Sequence, residues 1–175
     1  MLGGACAEHP RPRVYIASPI FTPEQLATVG DVVDVCHEQG YVTYSPARDG
    51  VMLKPTDPPS RRDEVFFSNV LAIRQSDLLI AILDVKDTGT TWEIGVATGL
   101  DCPIVAVTVA VDRMNVMLER GVTAHVRNLH DLSSVLGSLV PFLSYGTKHT
   151  TEVREGFMRT LELFKALYSY SGETQ

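Results

Sequence analysis

Residues 77–83 read Asp-Leu-Leu-Ile-Ala-Ile-Leu, a continuous apolar run behind a single aspartate. A strand with one wet face alternates apolar and polar residues, whereas an unbroken apolar run of this length is typical of a strand buried on both faces. Similar short apolar runs occur at 14–17 and 103–109, and residues 41–45 also read as a strand. We therefore expect the core of this protein to be a parallel sheet that is covered by helices.

Helical patterns lie between these runs. The segment Thr22-Pro23-Glu24-Gln25 combines an N-cap threonine, a proline at the first helical position and a glutamine that closes a capping box. Apolar residues then recur with helical spacing as far as Gly40, a natural stop. Further helices are expected over 63–75, 91–100, 129–139 and 151–168, and a weaker fifth strand over 123–126. This alternation predicts an α/β fold, a flavodoxin-like or Rossmann-like doubly wound sheet of about five parallel strands with helices on both faces.

The chain divides into three predicted segments. We expect a flexible leader over 1–13, one α/β domain over 14–145, and a C-terminal helix over 146–175 that packs on the domain or at an oligomer interface. The connection over 46–62 is rich in proline, aspartate and arginine and is longer than most connections, so it is expected to form a wall of a binding site.

Composition and motifs exclude several classes of function. The chain carries 15 Lys and Arg against 21 Asp and Glu, a formal net charge of −6, so it lacks the basic surface of a protein that binds nucleic acid or an anionic membrane. The three cysteines form no CxxC pair and the five histidines have no ligand spacing, which predicts no metal and a reducing, cytoplasmic location. Because no dinucleotide motif or P-loop is present, we also expect no cofactor.

Ligands of such sheets bind beyond the carboxyl ends of the strands. The loop after the 77–83 strand leads to Glu93, which we expect in the first turn of the next helix, where the helix dipole favours the ionised form. A carboxylate there can act as a nucleophile, or it can simply complement the dipole. Tyr15, inside the first strand, is by its position either a core residue or a partner for such a carboxylate.

Four segments in this order resemble the nucleoside 2-deoxyribosyltransferase family. They are VYIASPIFTPEQ (14–25), SDLLIAILD (76–84), DTGTTWEIGVATG (87–99) and NVM (115–117). The most specific piece is Asp87 with Glu93 six residues later, and the Asn-x-Met segment is an independent match.

The resemblance implies transfer of a 2-deoxyribosyl group between nucleobases. Glu93 matches the family's nucleophile, which attacks C1′ and forms a covalent glutamyl-deoxyribosyl intermediate; a second base or water then attacks, with net retention. Tyr15 matches the tyrosine that orients this nucleophile, and Asp87 matches a carboxylate that helps to hold the substrate.

The resemblance also implies the binding residues and the partners. Phe21 matches an aromatic residue near the base, and Asn115, with Met117 in the same segment, matches a residue that reaches a neighbouring subunit's pocket and binds the sugar 5′-hydroxyl. The expected partners are a deoxynucleoside, a free nucleobase and further copies of this chain, as a dimer or a multiple of dimers. In the 46–62 connection, Asp49 is a candidate for base contact, as is Arg48.

One position departs from the family pattern. Asn69 stands where many members have an aspartate that protonates the leaving base. An amide hydrogen-bonds a base but cannot deliver a proton. The general acid is therefore unassigned among Asp87, Asp49 and water.

Two other functions are open at this point. One is hydrolysis of the N-glycosidic bond of nucleosides or nucleoside 5′-monophosphates. The first loop, 18–21, lacks the glycine and arginine of a phosphate loop, and Asn115 suits a neutral 5′-hydroxyl, so the transferase is favoured. The other is a nucleotide-sensing module without turnover, which the fold alone permits. The combination of Tyr15, Asp87 and Glu93 argues against it.

Overall fold

A computed structural model describes residues 11–109 and 114–144, together with Arg159. Strands and helices alternate along these residues, in the order β1 Arg13–Ala17, α1 Pro23–Glu38, β2 Val42–Tyr44, α2 Pro46–Asp49, α3 Pro59–Gln75, β3 Leu78–Ile82, α4 Thr88–Gly99, β4 Ile104–Val107, α5 Val116–Gly121, β5 Ala124–Val126 and α6 Leu129–Ser144. The helix predicted over 151–168 lies outside the described residues, as does most of the predicted leader. No helix among the described residues is long and apolar enough to cross a membrane.

The five strands form one sheet in the order β2-β1-β3-β4-β5, and every neighbouring pair is parallel. This is the flavodoxin-like order, so the predicted fold class is confirmed. The strand order reverses between β1 and β3, and the crevice beyond their carboxyl ends is where ligands of such sheets bind.

Two apolar layers cover the sheet because successive side chains of each strand point to opposite faces. On one face, β1 and β3 pack through residues such as Val14 and Ile80 against α1 and α6. On the other face, Tyr15 and Leu79 pack against α3 and α4, where Ile94 contributes to the layer. All five residues of β3 are buried, as its unbroken apolar run predicts.

Helix α1 begins and ends as its sequence predicts. The Thr22 hydroxyl accepts the Gln25 N–H, the Gln25 side chain accepts the Thr22 N–H, and Pro23 opens the first turn. Gly40 follows the helix with φ of 84°, a left-handed conformation that favours glycine. The chain then turns into β2, and the buried Tyr41 hydroxyl donates to the Leu136 carbonyl of α6.

Helix α3 begins earlier than predicted, and helix α2 was not predicted at all. Helix α3 starts at Pro59 rather than at residue 63, and the short α2 occupies 46–49, so the irregular connection is only 50–58. Both helices have proline at the first helical position, where its fixed φ suits a helix start. The first turn of α3 is mostly exposed, and apolar periodicity could not reveal it.

Candidate active site

Tyr15 and Glu93 meet on the face of the sheet that α3 and α4 cover. Tyr15 is fully buried in β1, and its hydroxyl donates to Glu93 Oε1 at 2.5 Å. Glu93 lies on α4, the helix that follows β3, so two neighbouring strands of the sheet bring these side chains together. This hydrogen bond spans 78 residues of sequence.

Glu93 is the sixth residue of α4, not a residue of its first turn as the sequence predicted. The helix dipole acts mainly within the first turn, so it does not dominate at this depth. Burial raises the pKa of the Glu93 carboxyl to about 7, the negative charge of Asp87 also raises it, and the Tyr15 hydrogen bond lowers it. The expectation that Glu93 lies in the first turn of the helix is therefore wrong. The carboxyl titrates near neutral pH, a property common at functional sites.

Asp87 is the N-cap of α4. Its Oδ2 accepts the Thr90 N–H at 2.6 Å and the Thr90 hydroxyl at 2.8 Å, and its carbonyl accepts the Thr91 hydroxyl at 2.8 Å. These bonds explain why α4 begins at Thr88, three residues earlier than predicted. The structure places Asp87 close enough to affect the pKa of Glu93, with one carboxylate oxygen bound to the helix start.

Tyr44 is a site residue that sequence reasoning missed. It is the register partner of Tyr15, and the two rings stack with centroids 5.7 Å apart and planes at 28°. The Tyr44 hydroxyl donates to Asn69 Oδ1 at 3.2 Å, which connects β2 to α3. The available signal was a tyrosine at the carboxyl end of a predicted strand, directly before Ser45-Pro46.

A cavity of about 410 Å³ lies between β2 and α3. Tyr44, Asn69 and Asp49 line it where β2 ends, while Arg13 lines it where β1 begins. Tyr15 and Glu93 are not among its lining residues, so the cavity and the carboxyl are neighbouring spaces with Tyr44 between them. Its volume is within the range of small-molecule sites.

Asp49 has a local structural contact as well as a place on this cavity. Its Oδ2 accepts the Ser45 N–H at 2.8 Å, which closes the turn of α2. The cavity is lined by the charged side chains Asp49, Glu64, Arg13 and Arg61, two of each sign. This balance suits a neutral polar ligand.

The other three predicted binding residues are exposed. The side chains of Phe21 and Met117 are 76% and 77% exposed. Asn115 is the N-cap of α5, and its Oδ1 accepts the Met117 N–H at 2.8 Å. Within the described ranges, no group of histidine, cysteine, aspartate and glutamate side chains could hold a metal ion.

Comparisons with known proteins agree with this geometry. The model of the family "Nucleoside 2-deoxyribosyltransferase" matches residues 14–133. The solved structure of a 2-deoxyribosyltransferase from Bacillus psychrosaccharolyticus matches with a TM-score of 0.65 and 26% identity, and the match covers 69% of this chain and 90% of that one. A comparison with curated proteins gives no match.

Two further solved structures are less similar. A conserved protein from Enterococcus faecalis V583 has 24% identity and a TM-score of 0.49, with 74% of this chain and 88% of that chain covered. A CMP N-glycosidase from Clostridium botulinum has 18% identity and a TM-score of 0.48, with 71% and 97% covered. The family model covers well over half of the chain, including β1 and α4, which carry Tyr15 and Glu93. On this evidence, the chain belongs to the nucleoside 2-deoxyribosyltransferase family.

Proposed function

We propose that this protein transfers the 2-deoxyribosyl group from one nucleobase to another through a covalent intermediate on Glu93. The observation that carries the proposal is the hydrogen bond from the buried Tyr15 hydroxyl to Glu93 Oε1. It joins β1 to the helix that follows β3, and the strand order reverses between these two strands. A carboxyl held in this way, with a pKa of about 7, is available as an anion for a large part of the time at neutral pH.

In the first step, Glu93 attacks C1′ of the deoxynucleoside. Because Oε1 accepts the Tyr15 hydrogen bond, Oε2 is the oxygen expected to form the new C–O bond. The N-glycosidic bond breaks, its electron pair leaves with the base, and the base takes up a proton. In the second step the incoming base attacks C1′ from the vacated side and loses a proton, and the Glu93 carboxylate is released. Two inversions at C1′ give net retention of its configuration.

The base is expected to occupy the end of the cavity at Tyr44 and Asn69. Both residues line the cavity, and Tyr44 is stacked on the tyrosine that holds Glu93. Asp49 lines the same end and stays a candidate for base contact. The balanced charge of the lining suits an uncharged base better than a phosphate.

We further propose that a second copy of the chain completes the pocket with Asn115. In one copy this residue is exposed, and α5 presents it together with the exposed Met117. An aromatic patch of Phe66, Phe67 and Trp92 is also exposed, with ring centroids 5.3 Å apart in both of its pairs. Exposed apolar patches of this kind are common at subunit interfaces.

A cytoplasmic location also stays a prediction.

Incubation with a deoxynucleoside and a different free base tests the transfer. The expected result is a new deoxynucleoside, and, when the acceptor base is omitted, a mass increase of one deoxyribosyl group on the peptide that contains Glu93. Glu93→Ala should give neither product, whereas Glu38→Gln, at an exposed glutamate at the end of α1, should give both.

The same experiment distinguishes the alternatives. Free base and deoxyribose without a new nucleoside would show a hydrolase. Transfer by Glu93→Ala at the wild-type rate would contradict the assignment of the nucleophile. If no donor reacts, the enzyme proposal fails and a nucleotide-sensing module is favoured.

A further inference from the structure

We infer that Tyr44 is a positioning residue that fixes the amide of Asn69, so that the site selects nucleobases presenting a hydrogen-bond acceptor. This inference rests on the proposed function, because it assumes that the base binds where Tyr44 and Asn69 line the cavity. It concerns how the base is recognised and is independent of which carboxylate attacks the sugar.

The first step is the orientation of the amide. A tyrosine hydroxyl that donates to Asn69 Oδ1 occupies the oxygen side of the amide, and the NH₂ group is then on the other side. Burial raises the pKa of Tyr44, as do the neighbouring negative charges of Asp49 and Glu93, so its hydroxyl stays protonated and able to donate. Both residues line the cavity. With the amide oxygen bonded to Tyr44, the N–H groups are the part of Asn69 that the inference assigns to the ligand.

The second step is the place of Tyr44 in the fold. Its ring stacks on Tyr15 across two adjacent strands with Tyr44 as the register partner of Tyr15. The Tyr15 hydroxyl in turn holds Glu93. The side chain that orients Asn69 is thus packed against the side chain that orients the attacking carboxyl, and the two are fixed relative to each other.

The third step is the chemistry of the leaving base. As the N-glycosidic bond breaks, negative charge develops on the carbonyl oxygens and unprotonated ring nitrogens of the base. An N–H donor aimed at such an atom stabilises that charge without transferring a proton. This gives Asn69 a role that an amide can perform, and it makes an acceptor atom on the base a requirement for tight binding.

The test compares adenine with 1-deazaadenine, 3-deazaadenine and 7-deazaadenine, each of which replaces one acceptor nitrogen by a C–H group. Equilibrium binding of the free bases and kcat/KM with the matching deoxynucleosides are both measured. For the wild type we expect at least one analogue to bind about threefold to tenfold more weakly than adenine, with a matching fall in kcat/KM. This is the effect of losing one hydrogen bond. Tyr44→Phe keeps the ring and should lose that discrimination.

Two further variants separate positioning from a general structural effect. In an Asn69→Ala background, Tyr44→Phe should cause no further change in discrimination, because the amide that it positions is gone. Tyr41→Phe removes a buried tyrosine hydroxyl on the opposite face of the sheet, and its discrimination should equal that of the wild type. Denaturation curves identify any variant that is less stable.

Equal binding of all four bases by the wild type would overturn the inference, as would wild-type discrimination by Tyr44→Phe. A full Tyr44→Phe effect in the Asn69→Ala background would overturn it too. Equilibrium binding of the free bases needs no turnover, so this measurement gives a result even if the proposed transfer fails. Conversely, loss of the covalent adduct in Glu93→Ala tests the transfer whatever the bases show.

Discussion

At the residue scale, the charged form of Glu93 opposes folding. Its pKa rises from the ordinary value of 4.5 to about 7 on burial. The folded state therefore binds this proton more tightly than the unfolded state, and the free energy of unfolding falls as pH rises from about 4.5 to about 7. Glu93→Gln should remove this cost and stabilise the protein by about 1–3 kcal/mol at pH 8.

Urea denaturation at pH 8 and at pH 4 measures the effect. The stability gained by Glu93→Gln should disappear at pH 4, where the Glu93 carboxyl of the wild type is protonated in the folded state. Glu38→Gln, at an exposed position, should have nearly the same stability as the wild type at both pH values. An equal gain from Glu93→Gln at both pH values would argue that charge is not its cause.

Tyr15 has the opposite effect on the same carboxyl. Its hydrogen bond lowers the pKa of Glu93, so Tyr15→Phe should raise that pKa further and move the rise in activity to higher pH. Formation of the glycosyl-enzyme at neutral pH should fall about tenfold to a hundredfold, the effect of a hydrogen bond to a charged group. The pH dependence of adduct formation, followed by mass spectrometry, is the measurement. Tyr41→Phe should leave it unchanged, and an unchanged profile in Tyr15→Phe would contradict the role of the hydroxyl.

At the element scale, Asp87 both caps α4 and bears a charge near Glu93. Asp87→Ala should lower stability by about 1 kcal/mol, because the Thr90 N–H loses its cap. Asp87→Ser can cap the helix and should recover most of this loss. Asp87→Ser lacks the negative charge, however, so the pKa of Glu93 should fall in this variant. The pH at which activity begins to rise should therefore be lower than in the wild type.

Urea denaturation and the pH dependence of adduct formation separate the two effects. Full stability in Asp87→Ala would show that the cap is unimportant. A wild-type pH profile in Asp87→Ser would show that the charge does not act on Glu93.

The positions of the strands and the helix starts also show how much of the fold the sequence could predict. The runs that became β1 and β3 are local patterns, and burial on both faces follows from their composition. Two helix starts were placed too late for physical reasons. The first turn of α3 is mostly exposed and has no periodicity. Asp87, considered first as a substrate carboxylate, is the cap that starts α4.

Contacts between elements were harder to predict. Tyr15 and Glu93 were paired through resemblance to a family, and in the structure the Tyr15 hydroxyl donates to Glu93 Oε1. The pair Tyr44 and Asn69 depends on the register of β2 against β1 and on how α3 packs beside β2. No local pattern encodes either quantity.

At the scale of the whole molecule, a pocket built from two copies of the chain predicts that two inactive variants can restore activity when they are mixed. If Asn115 acts in the pocket of a second copy, Glu93→Ala and Asn115→Ala should each be inactive alone. After unfolding and refolding together, half of the dimers would combine the two variants, and each of these would have one intact site. Activity should then return to about a quarter of the wild-type value.

Transfer assays before and after co-refolding measure this recovery. A matched mixture of Glu93→Ala with Glu93→Gln should stay inactive, because neither chain supplies the nucleophile. No recovery in the first mixture would indicate that Asn115 acts within its own chain or not at all.

The hydrogen bond between Tyr15 and Glu93 also links the timing of folding to reactivity. Its partners are 78 residues apart and meet only when β1 and β3 have paired in parallel, a non-local event that is typically slow. A nascent or partly folded chain has the glutamate but not the buried carboxyl that the tyrosine orients. If Glu93 is the nucleophile, the capacity to form a glycosyl ester should therefore appear only after β1 and β3 have paired.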